Sequence, residues 1–451
     1  VSGRLAATLL IAAACSAPPA AGGGEAGFVE VPAAVTAGPR DPMRVFWSYH
    51  PADADAGDAP VAFVWNGGPG LATSGHLAVD GVGPLALDVD GAPIANPASW
   101  TRFAHVVAID EPLAGWSYGV GAFDGCAPGP AYVADAAAAV ATMLEFLDGH
   151  PALRTRRVVV VGHGTGATRA ALALYLLRHH GEPAGLIARD AVPWLAARIA
   201  AHDAATPVTR QFGWQVLLQP VFWGARQYTF QAGFLRGDPD FAAFLAPASG
   251  LDPFDVRQPA GANAARVAVV AAALRDPARV AALLDIAPAA VPRLPAAARG
   301  AAFRLFDRAS PSAVADAERS LTAALGALPA TDAYWLPEQT ACPDGDGDDA
   351  TATVFAAMLT EVASFVSNAR YDAVVYTEAI APLLSATDLD VDVVADQPAA
   401  AARPGELALR RGPAAYRVRF PTYAAGHHVA RAAAGELADD VAAWLVATGA
   451  R

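Results

Sequence analysis

The stretch Val158-Val159-Val160-Val161-Gly162-His163-Gly164-Thr165-Gly166-Ala167 decides how this chain folds. Four β-branched residues in a row read as a strand buried on both faces, as in a parallel sheet. A glycine-rich turn follows, and Thr168 to Leu177 has the composition of a helix. Strand, tight turn and helix are the parts of a nucleophile elbow, G-x-S-x-G, which holds a serine at the top of a sheet. They are also the parts of a dinucleotide loop, G-x-G-x-x-G/A. Gly162, Gly164 and Ala167 fit that spacing, and Asp190 follows about twenty residues on. At the centre of the elbow pattern stands Gly164 and no serine.

Working outward, Val61 to Trp65 and Val106 to Ile109 read as further short apolar strands, and Tyr132 to Leu147 as a helix. Trp214 to Trp223 is the next strand, with Pro220 marking its end or an irregularity. Ala350 to Ser367 reads as a helix, Ala373 to Tyr376 and Tyr416 to Phe420 as strands, and Glu436 to Val446 as a closing helix. Strands alternating with helices require a mostly parallel α/β sheet covered on both faces. Between about Gly224 and Thr340 the texture changes to Ala-, Leu- and Arg-rich helical segments punctuated by proline. The expected organisation is therefore a leader and linker over 1–27, a first core part over 28–223, an inserted helical cap over 224–349 and a second core part over 350–451.

A hydrophobic fraction of 54% in 451 residues is enough for a large core and excludes a disordered chain. The formal net charge of −13 excludes a nucleic-acid partner, which needs a basic footprint. All 31 basic residues are arginine, so chemistry that needs a Schiff-base or P-loop lysine is excluded as well. Asp344, Asp346 and Asp348 alternate as in a calcium loop. The glycine and glutamate that complete such a loop do not follow, and no metal or other cofactor is expected.

Near the N-terminus, Arg4, the apolar run Leu5 to Ala14 and the small residues before Cys15 form an export pattern, with an apolar core too short to span a bilayer. Cys15 is either a lipidation site or lies near an ordinary cleavage point, so membrane contact is expected only through an N-terminal lipid anchor. In an oxidising compartment the remaining pair, Cys126 and Cys342, is read as a disulfide, with two unpaired cysteines as the alternative. Such a bridge would contribute about 4 to 5 kcal/mol in the chain-entropy model.

Four blocks in order resemble the serine carboxypeptidase family of α/β-hydrolases. They are Trp65-Asn66-Gly67-Gly68-Pro69-Gly70 leading to Gly83-Pro84; Asn96-Pro97-Ala98-Ser99-Trp100 followed by Val106 to Tyr118; Gly162 to Ala167; and Ala425-Gly426-His427-His428-Val429. The resemblance implies the α/β-hydrolase fold and acyl-transfer machinery. It implies an oxyanion hole at the N–H groups of Gly68 and Thr165, a general base at His427, and a contact from Asn66 to a substrate's terminal carboxylate.

The departures are as informative. Gly164 occupies the nucleophile position, and His163 stands where the family has a carboxylate-gripping glutamate. No aspartate stands in register after the strand at 373–376, leaving Glu378 as the acid; Asp372 precedes that strand. Loss of a nucleophilic serine typically costs on the order of a million-fold in turnover. The expectation is thus an exported pseudoenzyme whose cleft, with His163 beside Asn66, takes a peptide C-terminus or another carboxylate. The alternatives are an active hydrolase using Thr165 or a water activated by His427, and a dinucleotide-binding protein.

Overall fold

The computed structural model describes residues 24–31, 43–53, 58–66, 73–74, 77, 81–87, 92–111, 117–119, 131–180, 193–221, 347–370, 380, 384, 387, 391–397, 405–425 and 428–451. The leader and linker over 1–27, with Cys15, apart from residues 24–27, the cap apart from its last three residues, and the Cys126–Cys342 pair lie outside them; Glu25 to Gly27 belong to the first strand of the core.

The valine run forms β8 (Val158–His163), buried at every residue, as are β3 (Val61–Trp65) and β6 (His105–Ile109). Val158 and Val160 enter one core while Val159 and Val161 enter the other, which is the period-two alternation of a strand covered on both faces. β3 pairs parallel with both β6 and β8. Parallel pairing continues from β8 to β9 (Phe212–Leu218), to β10 (Ala363–Ala369) and to β13 (Ala414–Arg419). At one edge β2 (Met43–His50) runs antiparallel to β6, and β1 (Glu25–Val31) antiparallel to β2. At the other edge β12 (Glu406–Arg411) and β11 (Val391–Gln397) extend the sheet antiparallel.

The resulting order is β1-β2-β6-β3-β8-β9-β10-β13-β12-β11. Short pieces complete the sheets: β4 (Leu85–Leu87) with β5 (Pro93–Ala95), β7 (Tyr118–Gly119) on β2, and β14 (Thr422–Tyr423) on β10. A parallel series with one strand exchange, preceded by an antiparallel second strand and carrying an elbow after β8, is the α/β-hydrolase fold.

One face is covered by α1 (Ala131–Gly149), α2 (Thr165–Arg178) and α5 (Gly347–Leu359), whose inner surfaces are largely alanine and leucine. The other is covered by α7 (Ala434–Ala447), which follows the short α6 (Val429–Ala432) and contributes Leu437, Val441, Trp444 and Leu445. α3 (Pro193–Ala205) and α4 (Val208–Gln211) lead into β9. Among the described residues no helix is long and apolar enough to cross a membrane.

Three boundaries differ from the sequence expectation. α2 starts at Thr165, directly after the elbow, and not at Thr168. β9 ends at Leu218, because Gln219 takes a positive φ of 43° and Pro220 cannot donate to a ladder. The expected helix Ala350 to Ser367 divides in two: α5 stops at Leu359 and Ala363 opens β10. The amides of Thr360 and Glu361 bond back three residues, to Ala357 and Met358, which tightens and ends the helix. The small and hydroxylic residues beyond it favour neither state strongly; their pairing with β9, from Ala363 opposite Trp214 to Ser367 opposite Leu218, makes them a strand. The expected strand at 373–376 lies outside the described residues. The strand beside β9 therefore ends at Ala369, so Asp372 follows it in sequence.

Burial also sets a pH response. His50 on β2 is fully enclosed, its Nε2 lies 3.4 Å from Ser48 Oγ, and burial lowers its pKa to about 4. The folded chain keeps this imidazole neutral, whereas the unfolded chain protonates it below pH 6.5. Stability from this residue is complete above pH 6.5 and falls by about 3 kcal/mol as pH drops towards 4. Urea unfolding across that range is expected to show the decline and a shallower one in His50→Asn. An identical slope in the variant would refute the assignment.

Candidate functional site

Strand order reverses between β3 and β8, because β3 is flanked by the later β6 on one side and by β8 on the other. Such a switch point opens a crevice at the carboxyl ends of the strands. Asn66 is the first residue beyond β3, His163 the last of β8, Gly164 the turn, and Thr165 the first of α2.

Gly164 has φ 56° and ψ −121°, a backbone conformation that a side chain makes costly. Its amide donates to Leu218 O at 2.9 Å, and its carbonyl accepts from the amides of Ala167 and Val221, both at 3.1 Å. The flanking glycines answer to close backbone approach. A Cβ on Gly162 would lie 2.2 Å from Gly166 O, and one on Gly166 would lie 2.4 Å from Asn66 O. The turn is thus packed against the chain's own backbone, and the sheet around it has the strand order of an α/β-hydrolase. The turn is an elbow, and the dinucleotide reading is set aside.

His163 Nδ1 lies 3.0 Å from Asn66 Oδ1. An amide oxygen only accepts, so Nδ1 carries the proton. The Asn66 amide nitrogen is buried and has no hydrogen-bond partner, as is the hydroxyl of Thr165. Asn66 is held from its backbone: its N–H donates to Thr73 Oγ1 at 2.9 Å. The next residue, Ser74, donates its N–H and hydroxyl to the two oxygens of Asp110, at 2.7 and 2.8 Å. Beneath the loop lies Arg169, buried on α2, whose Nη1 approaches Asn66 O at 3.5 Å. Arg169 pairs with Asp135 at the start of α1, through Nε at 2.7 Å, and with Glu111 beyond β6, at 3.0 Å. Desolvation works against its charge, but Asp135 and Glu111 outweigh it and raise the guanidinium pKa above its usual value.

A small cavity of about 20 Å³, enough for one water-sized group, lies over this corner. Its polar wall is Asn66, Thr73, His163 and His428; its apolar wall includes Val64, Leu77, Val82, Val161 and Leu218. The rings of His163 and His428 are 5.1 Å apart, inclined at 49°. The sequence block at Asn96 buttresses this arrangement from outside. Asn96 Nδ2 donates to the carbonyls of Gly81 (2.6 Å) and Gly83 (2.7 Å), fixing the turn that carries Val82. That turn abuts α6, where a Cβ on Gly81 would come within 2.7 Å of Ala430 O.

Of the residues expected to form the site, Asn66, His163, Gly164 and Thr165 are brought together. Gly68, His427 and Glu378 lie outside the described residues. His428, at the head of α6, was not expected to line the cavity; the signal was its place beside His427 in the fourth sequence block. No cluster of three or more metal-ligating residues occurs among the described residues.

Comparison with known proteins gives a consistent picture. The serine carboxypeptidase family model matches residues 22–167. The chain is 32% identical over 81 residues to the vacuolar serine-type carboxypeptidase ATG42 of Saccharomyces cerevisiae, covering 18% of this chain and 16% of that protein. It is 38% identical over 74 residues to carboxypeptidase Y of the same yeast, covering 16% and 14%. These matches span about a sixth of the length of either relative. Among solved structures, a prohormone-processing carboxypeptidase from Saccharomyces cerevisiae aligns over 93% of this chain and 90% of its own, with 12% identity and a TM-score of 0.46. The chain resembles the serine carboxypeptidases, and the strand order and elbow establish its fold independently of that alignment.

Proposed function

We propose that this serine carboxypeptidase-like chain binds the C-terminal carboxylate of a peptide at the β3–β8 switch point and does not hydrolyse the peptide. The observation that carries this reading is Gly164: the elbow keeps its strained turn and its hydrogen bonds, yet holds no nucleophile. Asn66 supports the binding half, since its buried amide nitrogen lines the cavity without a partner and suits an oxygen acceptor. The cavity takes about one water-sized group, so one carboxylate oxygen enters it and the rest of the ligand lies outside.

The end of β10 at Ala369 supports one refinement of the reading. With β10 ending at Ala369, the run Ala369-Arg370-Tyr371-Asp372 takes the place of the family's G-D-x-D turn. We assign the acid position to Asp372 in preference to Glu378, so the departures concentrate at the nucleophile and at position 163. Thr165 is disfavoured as a substitute nucleophile, because its buried hydroxyl has no hydrogen-bonded base. The pattern Arg4, Leu5 to Ala14 and Cys15 supports export; a mature mass that still includes residues before Cys15 would refute lipid attachment there.

The test pairs binding with turnover. Calorimetry with N-acetyl-Ala-Phe is expected to give an affinity at least about tenfold above that of its C-terminal amide, with no cleavage of N-acetyl-Ala-Phe detected by chromatography. Equal affinity for acid and amide would remove the carboxylate reading. Turnover that disappears in His427→Ala would instead make the chain an active hydrolase.

A further inference from the structure

We infer that Gln219 is a positioning residue of the elbow, holding in place the two hydrogen bonds by which the chain after β9 clasps Gly164. Its effect on ligand binding rests on the carboxylate reading; the clasp itself does not. Among the described residues Gln219 is the one non-glycine residue with a positive φ, 43°. It also precedes Pro220, and a residue before proline favours an extended backbone with φ near about −120°. Glycine would take the observed conformation without strain, so what the position gains over glycine is a side chain. That side chain brings no complete set of hydrogen bonds. It is fully buried, its Nε2 donates to Ser367 Oγ on β10 at 2.7 Å, and its Oε1 is enclosed without a partner. A strained backbone and a half-satisfied amide are both unfavourable, and such residues concentrate where exact geometry serves a site.

The place of Gln219 in the chain says which geometry that is. One residue before it, Leu218 O accepts the Gly164 amide at 2.9 Å. Two residues after it, the Val221 amide donates to Gly164 O at 3.1 Å. Val221 O in turn accepts from Thr168 Oγ1 in the first turn of α2. Gln219 is thus the pivot between two jaws that close on the same glycine. The peptide bond carrying Leu218 O ends on the nitrogen of Gln219, so a shift of the pivot turns that carbonyl away from Gly164. The bond to Ser367 removes this freedom by tying the pivot to β10, where Ser367 stands opposite Leu218. On its other side Leu218 stands opposite His163, and its side chain lines the cavity. The pivot therefore fixes the end of β8, where His163 meets Asn66, together with one wall of the cavity.

Two near-isosteric variants of the full chain, Gln219→Met and Ser367→Ala, cut the link from either end, and melting curves check that they are folded. Ser367→Ala deletes a single buried oxygen and carries the test alone if Gln219→Met does not fold. Hydrogen exchange read by mass spectrometry is expected to rise severalfold in peptides covering 158–168 and to stay unchanged in peptides covering α7. Calorimetry with N-acetyl-Ala-Phe and its C-terminal amide is expected to show the preference for the acid reduced about three- to tenfold, the range that loss of one hydrogen bond gives. The combined variant should lose no more than either alone, because both changes remove the same link. Elbow exchange and acid preference both unchanged, whatever the melting temperature, would make the pair a structural contact and overturn the proposal. Faster elbow exchange with the acid preference retained would overturn the part played in binding. A parent chain that binds acid and amide equally would overturn the carboxylate reading, and exchange at the elbow would then decide the clasp by itself.

Discussion

Replacing Arg169 with methionine is expected to destabilise the fold by about 3 to 5 kcal/mol. The arginine is 3% exposed, and its charge balances two carboxylates that come from different elements, Glu111 beyond β6 and Asp135 at the start of α1. Removing it leaves Glu111, itself only 5% exposed, as a buried carboxylate close to a second one. The same change withdraws a donor from Asn66 O, so the loop that carries the ligand-facing amide also loses support. The combined variant Arg169→Met, Glu111→Gln, Asp135→Asn is expected to recover part of the loss, because no unpaired charge is left behind. Urea unfolding of the two variants measures both effects. A single variant within about 1 kcal/mol of the parent would show that this ion group is not a significant stabilising element.

Gly162→Ala is expected to cost about 3 kcal/mol or more, although the change adds one methyl group. The added Cβ would meet Gly166 O at 2.2 Å and the backbone of Ala167 at 2.4 Å, and backbone atoms at the start of a buried helix cannot swing aside. Gly149→Ala at the end of α1 is the control: its Cβ meets nothing within 4 Å, and the change is expected to be neutral or slightly stabilising. Thermal denaturation of the two variants separates crowding at the elbow from a general effect of glycine. Near-equal melting temperatures would contradict the close approach that identifies this turn as an elbow.

How much of this was readable from the chain depends on how local the cause is. β3, β6 and β8 announced themselves, because strands buried on both faces need runs such as Val158 to Val161. The boundary between α5 and β10 did not. Ala363 to Ala369 has no strong preference, and its state is settled by a partner strand distant in sequence. That boundary bears on the site, since Asp372 follows β10 in sequence, whereas the sequence reading placed it ahead of a strand at 373–376 that lies outside the described residues. β1 and β2 were missed for a related reason: Glu25–Val31 and Met43–His50 mix polar and apolar residues, and their antiparallel pairing at the sheet edge gives them their structure. At the site, the elbow and Asn66 were legible through the resemblance of four blocks to the serine carboxypeptidases. The contact between His163 and His428 was not, because it joins the end of β8 to the start of α6 across the cavity. Nothing in the sequence alone showed that Arg169 would be buried, since an arginine on a helix is ordinarily exposed.

The fastening of Gly164 has a thermodynamic consequence of its own. Both halves of its peptide environment are committed to the end of β9, through Leu218 on one side and Val221 on the other. The elbow is thus rigid before anything occupies the neighbouring cavity, and an incoming ligand does not have to organise it. Association should therefore carry little loss of chain entropy and only a small heat-capacity change, the signature of a receptor assembled in advance. A turn of this kind, shaped for chemistry it lacks the atom to perform, keeps the part of a catalytic site that selects and gives up the part that reacts.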